Sequence, residues 1–355
     1  MRVGLSLLFA LFGIGCEAPT PTPSKATDTS KALPTERPVA RPVVTREGIL
    51  GRFEISTERC TKPNQFEDAA ASITASVVSI AAGRMEAGLF EPLSIGSGII
   101  LTESGFILAS YHTVGEFEEI RVRQTNGRLL KAEWNGEDRA SDLVLLKAPV
   151  ENFASLQFAT PTALRPGQWV AAIGSPLGVP SALTAGIVSS SDYLNPSKDE
   201  DELLNYVHSN VILHPGNSGG PLFDACGRVL AMNQSMLAAG ISFSVHIDQA
   251  IAIAERLYAD GEFERGYLGV SVKRVVSTGE LMIDVVAEKS PAAAAGLKPG
   301  QIITHFNRIN IRDERHLRWL IALSEPGENA EVSVKQAEIL LKKTVAIESD
   351  ESRVR

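Results

Sequence analysis

Between about Ile55 and Ser244 the hydrophobic residues fall in short runs that are separated by glycine, asparagine and proline. Short apolar runs between turn residues are typical of strands that close into barrels or sandwiches. The clearest runs predict strands at residues 77–80, 98–101, 106–108, 143–146, 169–173 and 229–232. Asn126 and Gly127, between two alternating segments, predict a two-residue hairpin because both tolerate positive φ. This part of the chain is therefore predicted to be an all-β domain.

The hydrophobic pattern changes to a helical period after Asp248, which is a favourable N-cap residue. The apolar residues behind it share one helical face: Ala250, Ile251, Ala254, Leu257 and Tyr258. We expect this helix to end the all-β domain.

A smaller unit that mixes strands and helices follows this helix, and residues 281–286 are its clearest strand. One helix is predicted to begin at Ser290, where a cap residue precedes proline, and to end at Gly296. A second helix is predicted over residues 314–323. The pattern predicts a small α+β domain.

The N-terminal residues have the order of an export signal. Arg2 gives a charged start, an apolar stretch follows, and Cys16 comes directly after small residues. The stretch is too short to span a bilayer. Its end resembles the lipobox of bacterial lipoproteins, with Gly13 where leucine is usual. We expect residues 1–16 to be a lipoprotein-type signal and Cys16 to carry a lipid anchor in a membrane; the alternative is a plain secretory signal.

Residues 17–50 are rich in proline, threonine, serine, alanine and charged residues and show no periodicity. Such a segment cannot bury enough apolar surface to offset the entropy lost on ordering. Its prolines favour extended conformations that span about 3 Å per residue. We therefore predict a tether between the signal and the first domain.

With 355 residues, of which 44% are hydrophobic and 21% charged, the chain is long enough for two packed cores. We assign the all-β domain to residues 51–262 and the α+β domain to residues 265–348. The net charge of −8 repels a phosphate backbone, and no Lys/Arg cluster reverses it locally. This charge argues against nucleic acid as a partner.

Two of the three cysteines, Cys60 and Cys226, remain once Cys16 is assigned to the signal. Disulfides persist in exported proteins, so a Cys60–Cys226 bridge is one interpretation. Two separate buried thiols are the other, because spacing along the chain does not give distance in space.

The run from Pro215 to Pro221 surrounds Ser218 with small residues. A serine hydroxyl is a weak nucleophile unless a base removes its proton and donors await the developing oxyanion. Glycines allow a tight turn and a close approach of substrate. We therefore predict Ser218 as a nucleophile, with the backbone N–H groups of Gly216, Asn217 and Ser218 as its oxyanion hole.

Candidates for the base and its orienting group lie at strand ends. His112 follows the predicted strand at residues 106–108, and Asp142 directly precedes the next one. The order His, Asp, Ser along the chain is that of chymotrypsin-like enzymes, whereas subtilisin-like and α/β-hydrolase sites use other orders. His214 lies four residues before Ser218 and is predicted to line the cleft or cap the loop rather than act as the base.

The other histidines are predicted to be surface or packing residues: His208, His246, His305 and His316. No spacing of His, Cys and Asp indicates a metal site. We expect neither a metal nor a cofactor.

The segments around these residues resemble the HtrA/Deg family of serine proteases. The matching segments, which include the nucleophile loop, are residues 107–114, 141–146, 170–178, 184–189 and 215–222. The resemblance implies a chymotrypsin-like double β-barrel in which His112, Asp142 and Ser218 form a catalytic triad. It also implies ATP-independent cleavage of misfolded or unfolded proteins in the periplasm of a bacterial cell envelope.

The chain departs from the family pattern at four positions. Tyr111 precedes the catalytic His where alanine or asparagine is usual, and Thr113 follows it where valine is usual. Asn210 replaces a common aspartate, and His214 a common asparagine. These departures bear on substrate preference and loop activation more than on the triad.

The second domain resembles a PDZ domain. Residues 266–270 are similar to its carboxylate-binding loop, and residues 290–300 to a typical internal run. The resemblance implies that backbone N–H groups at Tyr267, Leu268 and Gly269 hold a peptide C-terminus while the peptide adds a strand. The alternative is that this domain only packs against the first domain or an adjacent subunit.

The family resemblance implies three further features. Small or medium aliphatic residues are preferred before the scissile bond, and Leu213 and Ile241 are candidates to line that pocket or else to belong to the core. Family members commonly form trimers through an N-terminal segment, where Phe66 is a candidate contact. The unusual residues near His112 and Ser218 leave one alternative function, a chaperone or peptide sensor with an idle protease site.

Overall fold

The computed structural model describes residues 44–48, 51–62, 65–115, 117–160, 164–175, 181–193, 203–238, 240–337 and 339–350. All of these belong to one compact unit, Arg41–Arg355. The predicted signal with Cys16 and the predicted tether up to residue 43 lie outside the described residues. Among the helices of the described ranges, none combines the length and apolar character that a membrane crossing requires.

An N-terminal hairpin precedes the first barrel. Strand β1 (Val44–Gly48) pairs antiparallel with β2 (Gly51–Ser56), and helix α1 (Glu67–Thr74) follows. The prediction of a tether over residues 17–50 is therefore wrong at its C-terminal end. Hydrogen bonding to a neighbouring strand orders β1, and composition alone does not reveal such a partner.

The first barrel has six strands in the closed order β3-β4-β5-β8-β7-β6. A short helix, α2 (Tyr111–Val114), follows β5. The strands are β3 (Val77–Glu86), β4 (Leu89–Ile100), β5 (Phe106–Ser110), β6 (Glu119–Arg123), β7 (Leu129–Asp138) and β8 (Leu143–Lys147).

Strand β8 explains why the strands of this barrel read as continuous apolar runs. Val144 and Leu146 fill the barrel interior, whereas Leu143 and Leu145 belong to a second cluster outside it. Successive side chains of a strand point to opposite faces, so a strand that is buried on both faces shows no alternation.

The predicted two-residue hairpin at Asn126 and Gly127 is longer in the structure. The N–H of Gln124 donates to the carbonyl oxygen of Arg128, which leaves three residues between them. Only Gly127 of the predicted pair has positive φ, and the side chain of Asn126 accepts from the N–H of Arg128 at 2.9 Å. The amide of Asn126 stabilises a wider turn in place of the second left-handed residue.

The second barrel closes through β14 and β15 in the order β14-β13-β10-β11-β12-β15. Outside this barrel, strand β9 pairs parallel with both β14 and β2. The prediction of a chymotrypsin-like double β-barrel is confirmed. The strands are β9 (Gln157–Ala159), β10 (Trp169–Gly174), β11 (Ala182–Tyr193), β12 (Tyr206–Ser209), β13 (Pro221–Asp224), β14 (Arg228–Ala238) and β15 (Ile241–His246).

Helix α3 (Ile247–Asp260) ends the barrel domain and packs against β7 and β8. Its N-cap is His246, so the predicted cap, Asp248, lies inside the first turn, where a carboxylate favours the positive end of the helix dipole. The helix ends at Gly261, whose φ of +80° suits the left-handed terminal position.

The second domain is a small sheet with two helices, as predicted. Its five main strands have the order β17-β18-β19-β21-β22, β20 pairs with β19, and β16 pairs with β23. The elements are β16 (Gly266–Tyr267), β17 (Val270–Arg274), β18 (Leu281–Val286), α4 (Pro291–Ala294), β19 (Ile302–Phe306), β20 (Ile309–Asn310), α5 (Glu314–Ala322), β21 (Asn329–Gln336), β22 (Ile339–Ala346) and β23 (Glu348–Ser349).

Both helices of this domain begin with a side-chain N-cap. The Ser290 hydroxyl accepts from the N–H of Ala293 at the start of α4, and Asp313 caps α5 by accepting from the N–H of His316. Gly296, with φ of +71°, follows α4 as expected.

The second domain packs against α3. Trp319 of α5 belongs to the same hydrophobic cluster as the buried face of α3. Arg256 of α3 donates to the carbonyl oxygen of Leu323 at 3.0 Å and pairs with Glu325. The second domain is therefore in contact with the first.

Phe66 is buried within its own chain. Its exposed fraction is 7%, and its ring contacts Phe223 edge to face, with centroids 5.8 Å apart. The expectation of Phe66 as a trimer contact is wrong, because the side chain fills the core instead.

Candidate active site

The structure brings His112 and Asp142 together at the open end of the first barrel. One carboxylate oxygen of Asp142 lies 2.7 Å from Nδ1 of His112, and the other accepts from the His112 backbone N–H at 2.8 Å. The Asp142 carbonyl also accepts from the N–H of Tyr111 at 3.0 Å. Asp142 thus fixes both the ring and the backbone of His112.

The backbone at Asp142 is unusual, with φ of +58°. Left-handed φ is uncommon for residues other than glycine, and it is best tolerated by Asn and Asp. It turns the chain from the loop after β7 into β8 while the carboxylate points at α2. With Nδ1 bonded to the carboxylate, Nε2 is the ring nitrogen left to accept a proton.

Ser218 lies in the loop between β12 and β13. Its hydroxyl donates to the backbone carbonyl of Gln234 on β14 at 2.9 Å. Within the described residues, it makes no hydrogen bond to His112. The structure therefore shows the serine hydroxyl turned towards β14.

The loop before Ser218 makes two of the three predicted oxyanion donors available. In the part of the chain that the structure describes, the N–H groups of Gly216 and Ser218 donate to no partner. The N–H of Asn217 differs from the prediction, because it donates to the carbonyl oxygen of His214 at 2.9 Å. Asn217 closes a turn and does not offer an oxyanion donor in this conformation.

The other residues predicted near the site have structural roles here. His214 is exposed and contributes its backbone carbonyl to this turn. Asn210 accepts from the N–H of Ile187 at 2.6 Å. Leu213 is buried in the core of the second barrel, whereas Ile241 packs against a different hydrophobic cluster. The structure does not bring these last two side chains together.

The second domain has a groove between β17 and α5. Within the ranges that the structure describes, strand β17 pairs only with β18, so its other edge faces this groove. The groove is lined by Tyr267, Leu268, Gly269, Leu317 and Ile321, among others.

The carbonyl and the N–H of a trans peptide point in opposite directions. The partners of the loop carbonyls therefore determine where the loop N–H groups point. The carbonyl oxygens of Leu268 and Gly269 accept from the N–H groups of Ala292 and Ala287, each at 2.9 Å. The N–H groups of Gly269 and Val270 therefore point away from these partners. Gly269 is required here, because a Cβ would lie 2.2 Å from that of Ser290 and its φ is +81°.

Comparison with known proteins matches both domains. The model of the trypsin-like peptidase domain matches residues 96–232, and that of the PDZ domain matches residues 266–347. A probable periplasmic serine endoprotease DegP-like from Halomonas elongata is 35% identical over 260 residues, which cover 69% of this chain and 54% of that protein. The structure of the HtrA-type protease AlgW with a tripeptide is 25% identical, with a TM-score of 0.66, over 80% of this chain and 97% of that one.

The chain therefore has a trypsin-like peptidase domain followed by a PDZ domain, and it is similar to HtrA-type and DegP-like proteases. A putative serine protease HhoB from Synechocystis is also similar, with 31% identity over 68% of this chain and 64% of that protein. The chain spans about half the length of the curated DegP-like relatives that it matches, 54% in the first case.

The structure contains the disulfide that the sequence left open. Cys60 and Cys226 are bonded, with Cα atoms 5.8 Å apart. Together with Asp224 they are the only group of potential metal ligands that the described residues bring within reach of one ion. The two sulfurs are bonded to each other, and Asp224 already accepts from Arg228 at 2.7 Å.

Gln234 is a residue of the site that the sequence did not predict. Its side-chain amide donates to the carbonyl oxygen of Ser141 at 2.7 Å, while its own carbonyl accepts from Ser218. One residue of β14 therefore contacts both the nucleophile and the residue before Asp142. In the sequence Gln234 simply continues an apolar strand, so no motif marks it.

Proposed function

We propose that this protein is a periplasmic serine endopeptidase that uses His112, Asp142 and Ser218. The observation that carries the proposal is the bidentate contact of Asp142 with His112, within 2.8 Å at both the ring and the backbone. An orienting carboxylate of this kind selects the imidazole tautomer that a serine nucleophile requires. The trypsin-like domain match and the serine endoproteases among its relatives support the same reaction.

The reaction begins when the Ser218 hydroxyl leaves the carbonyl of Gln234 and turns towards His112. Nε2 takes the hydroxyl proton while Oγ attacks the carbonyl carbon of the scissile peptide bond. The Asp142 carboxylate stabilises the imidazolium that forms. The ring then returns the proton to the leaving amine, and water hydrolyses the acyl-enzyme by the reverse sequence.

The developing oxyanion would be held by the N–H groups of Gly216 and Ser218. Both are without partners among the described residues, as a preorganised donor pair requires. Removing a single oxyanion donor in a serine protease costs about 10²-fold to 10³-fold in kcat, so two donors contribute a large part of catalysis.

The test is cleavage of an unfolded protein, such as casein, by purified protein. Ser218→Ala should abolish cleavage, because it removes the proposed nucleophile. Ser72→Ala is the matched control, since the Ser72 hydroxyl donates only to the carbonyl of Ala69 in α1. Undiminished cleavage by Ser218→Ala would refute the proposed nucleophile.

The substrates we propose are misfolded or unfolded envelope proteins, and the PDZ domain binds peptide C-termini that regulate cleavage. The free edge of β17 and the outward N–H groups at Gly269 and Val270 support a peptide that adds a strand and seats its carboxylate in the loop. A fluorescent peptide with an apolar C-terminus should bind, and its C-terminal amide should bind far more weakly. Equal binding of acid and amide would contradict this mode.

Membrane attachment through lipid on Cys16 is also proposed, on the lipobox resemblance. Mass spectrometry of the mature N-terminus should find a diacylglyceryl cysteine. Cleavage at another position would leave a secreted form without an anchor. A homotrimer is proposed from the family resemblance, with light scattering as its test and a monomer as the contradicting result.

The second candidate function is a chaperone or peptide sensor with an idle protease site. One observation favours it: the Ser218 hydroxyl and the Asn217 N–H are both bonded to backbone carbonyls. An idle site predicts that a fluorophosphonate probe does not label Ser218. Labelling at Ser218 would exclude this function.

A further inference from the structure

Ser97 of β4 reaches from the first barrel to the nucleophile loop of the second. Its backbone N–H donates to the carbonyl oxygen of Ser218 at 2.8 Å. Its hydroxyl donates to the carbonyl oxygen of Gly216 at 2.6 Å and accepts from the N–H of Ser175 at 2.9 Å. Ser97 is fully buried, so water does not compete for these bonds.

These bonds hold the two peptide groups on either side of the Asn217–Ser218 peptide. The carbonyl of Gly216 belongs to the peptide before Asn217, and that of Ser218 to the peptide after Ser218. The peptide between them carries the Ser218 N–H, which is one of the proposed oxyanion donors. With both neighbouring carbonyls fixed by Ser97, the direction of this N–H is restricted.

The backbone of the nucleophile loop also packs closely around Ser97. A Cβ on Gly219 would lie 2.1 Å from the carbonyl oxygen of Ser97. A Cβ on Gly174 would lie 2.7 Å from the side-chain oxygen of Asn217 and 3.0 Å from the hydroxyl of Ser97. The loop and Ser97 therefore meet at a distance that only glycine permits.

Ser175 and Ser79 continue the hydrogen bonding that begins at the Ser97 hydroxyl. The Ser175 N–H that donates to Ser97 also lies 3.4 Å from the Gly216 carbonyl oxygen, and the Ser175 hydroxyl accepts from Ser79 at 2.7 Å. This chain of serines connects β3 and β4 of one barrel to the end of β10 in the other. None of these three serines belongs to the proposed triad.

We propose that Ser97 is a positioning residue that holds the Gly216–Ser218 loop in the geometry of the oxyanion hole. The inference rests on the proposed endopeptidase function. Without the Ser97 hydroxyl the Gly216 carbonyl loses its strongest donor, and the adjoining peptide is free to rotate. An error of about 1 Å in such a site lowers the rate by about 10²-fold.

The experiment compares Ser97→Ala with Ser76→Ala in the full chain. Ser76 is also fully buried in the first barrel, and its hydroxyl donates to the carbonyl of Ala154, away from the loop. Both variants lose one buried hydroxyl and should lose similar stability. With a peptide substrate, Ser97→Ala should lower kcat by about 10-fold to 100-fold with little change in KM, whereas Ser76→Ala should leave both near the parent values.

Hydrogen–deuterium exchange of the peptide that spans residues 211–222 gives a readout that does not need activity. Exchange there should be faster in Ser97→Ala than in the parent and in Ser76→Ala. Unchanged exchange, or a kcat of Ser97→Ala equal to that of the control, overturns the inference. If the parent protein neither cleaves peptides nor is labelled at Ser218, the proposed function fails, and the exchange comparison alone decides whether Ser97 holds the loop.

Discussion

Arg265, the residue before β16 of the PDZ domain, donates to a carboxylate oxygen of Asp138 at 2.6 Å. The side chains are 9% and 6% exposed, so this is a buried ion pair between the PDZ domain and the end of β7. Asp138 lies four residues before Asp142, and its carbonyl accepts from the hydroxyl of Ser141. Because Arg265 also lines the groove of the PDZ domain, the contact joins this groove to the loop before Asp142.

The first prediction concerns this pair. Arg265→Met and Asp138→Asn each leave one buried group without its partner, which typically costs about 3–5 kcal/mol for a buried ion pair. The double variant should lose less than the sum of the two single losses, because neither charge is then left alone. Urea denaturation of all four proteins measures the coupling, and additive losses would show that the pair does not interact.

Gln234 gives a second prediction. Gln234→Leu removes the donor to the Ser141 carbonyl, which leaves a buried acceptor unpaired at a cost of about 1–3 kcal/mol. Because Ser141 precedes Asp142, we expect kcat to fall as well as stability. The control is Gln124→Leu, whose side chain likewise donates to a backbone carbonyl, that of Glu151. Loss of stability without loss of kcat would assign Gln234 a structural role only.

The disulfide gives a third prediction. Cys60 and Cys226 are 166 residues apart, and closing a loop of this length restricts the unfolded chain by about 4–5 kcal/mol. Cys60→Ser with Cys226→Ser should lower the free energy of unfolding by that order. Reductant should destabilise the parent protein and leave the double variant unaffected. An equal response of both proteins to reductant would rule out the bond as the source of stability.

His208 sets a pH dependence. Burial lowers the pKa of its imidazole from the ordinary value of 6.5. The unfolded chain therefore binds more protons than the folded one as the pH falls below about 6.5, so stability decreases until the lowered pKa is reached. His208 stacks on Phe243 with ring centroids 5.5 Å apart.

The variant His208→Phe keeps a ring in this stack and removes the titrating group. The slope of unfolding free energy against pH below 6.5 should become smaller. Thermal denaturation over this range measures both slopes. A slope that does not change would assign the acid sensitivity to other groups.

The strands and the second domain could be predicted because their signals are local. The apolar runs at Leu143 and Val229 mark strands, and Ser290 before proline marks a helix start. The strand at Val44 was not predictable in this way, because it depends on a partner. The same limit applies at Asn126, where a side-chain hydrogen bond decides the width of the turn.

The residues of the candidate site differ in the same way, because the sequence indicates some of them and not others. His112, Asp142 and Ser218 carry residue types and spacings that a reader of the sequence recognises. Ser97 and Gln234 do not, because their contributions are hydrogen bonds to backbone carbonyls more than 90 residues away. The bond of the Asn217 N–H to His214 was also hidden, since any residue has that N–H.

The covalent connection of Cys60 to Cys226 decides how a mechanical pull would travel through this protein. A force applied to the N-terminal segment passes at Cys60 directly to Cys226 and on towards the PDZ domain. His112, Asp142 and Ser218 all lie between these cysteines in the chain, inside the closed ring. The covalent path of such a force therefore bypasses the backbone that carries the three residues.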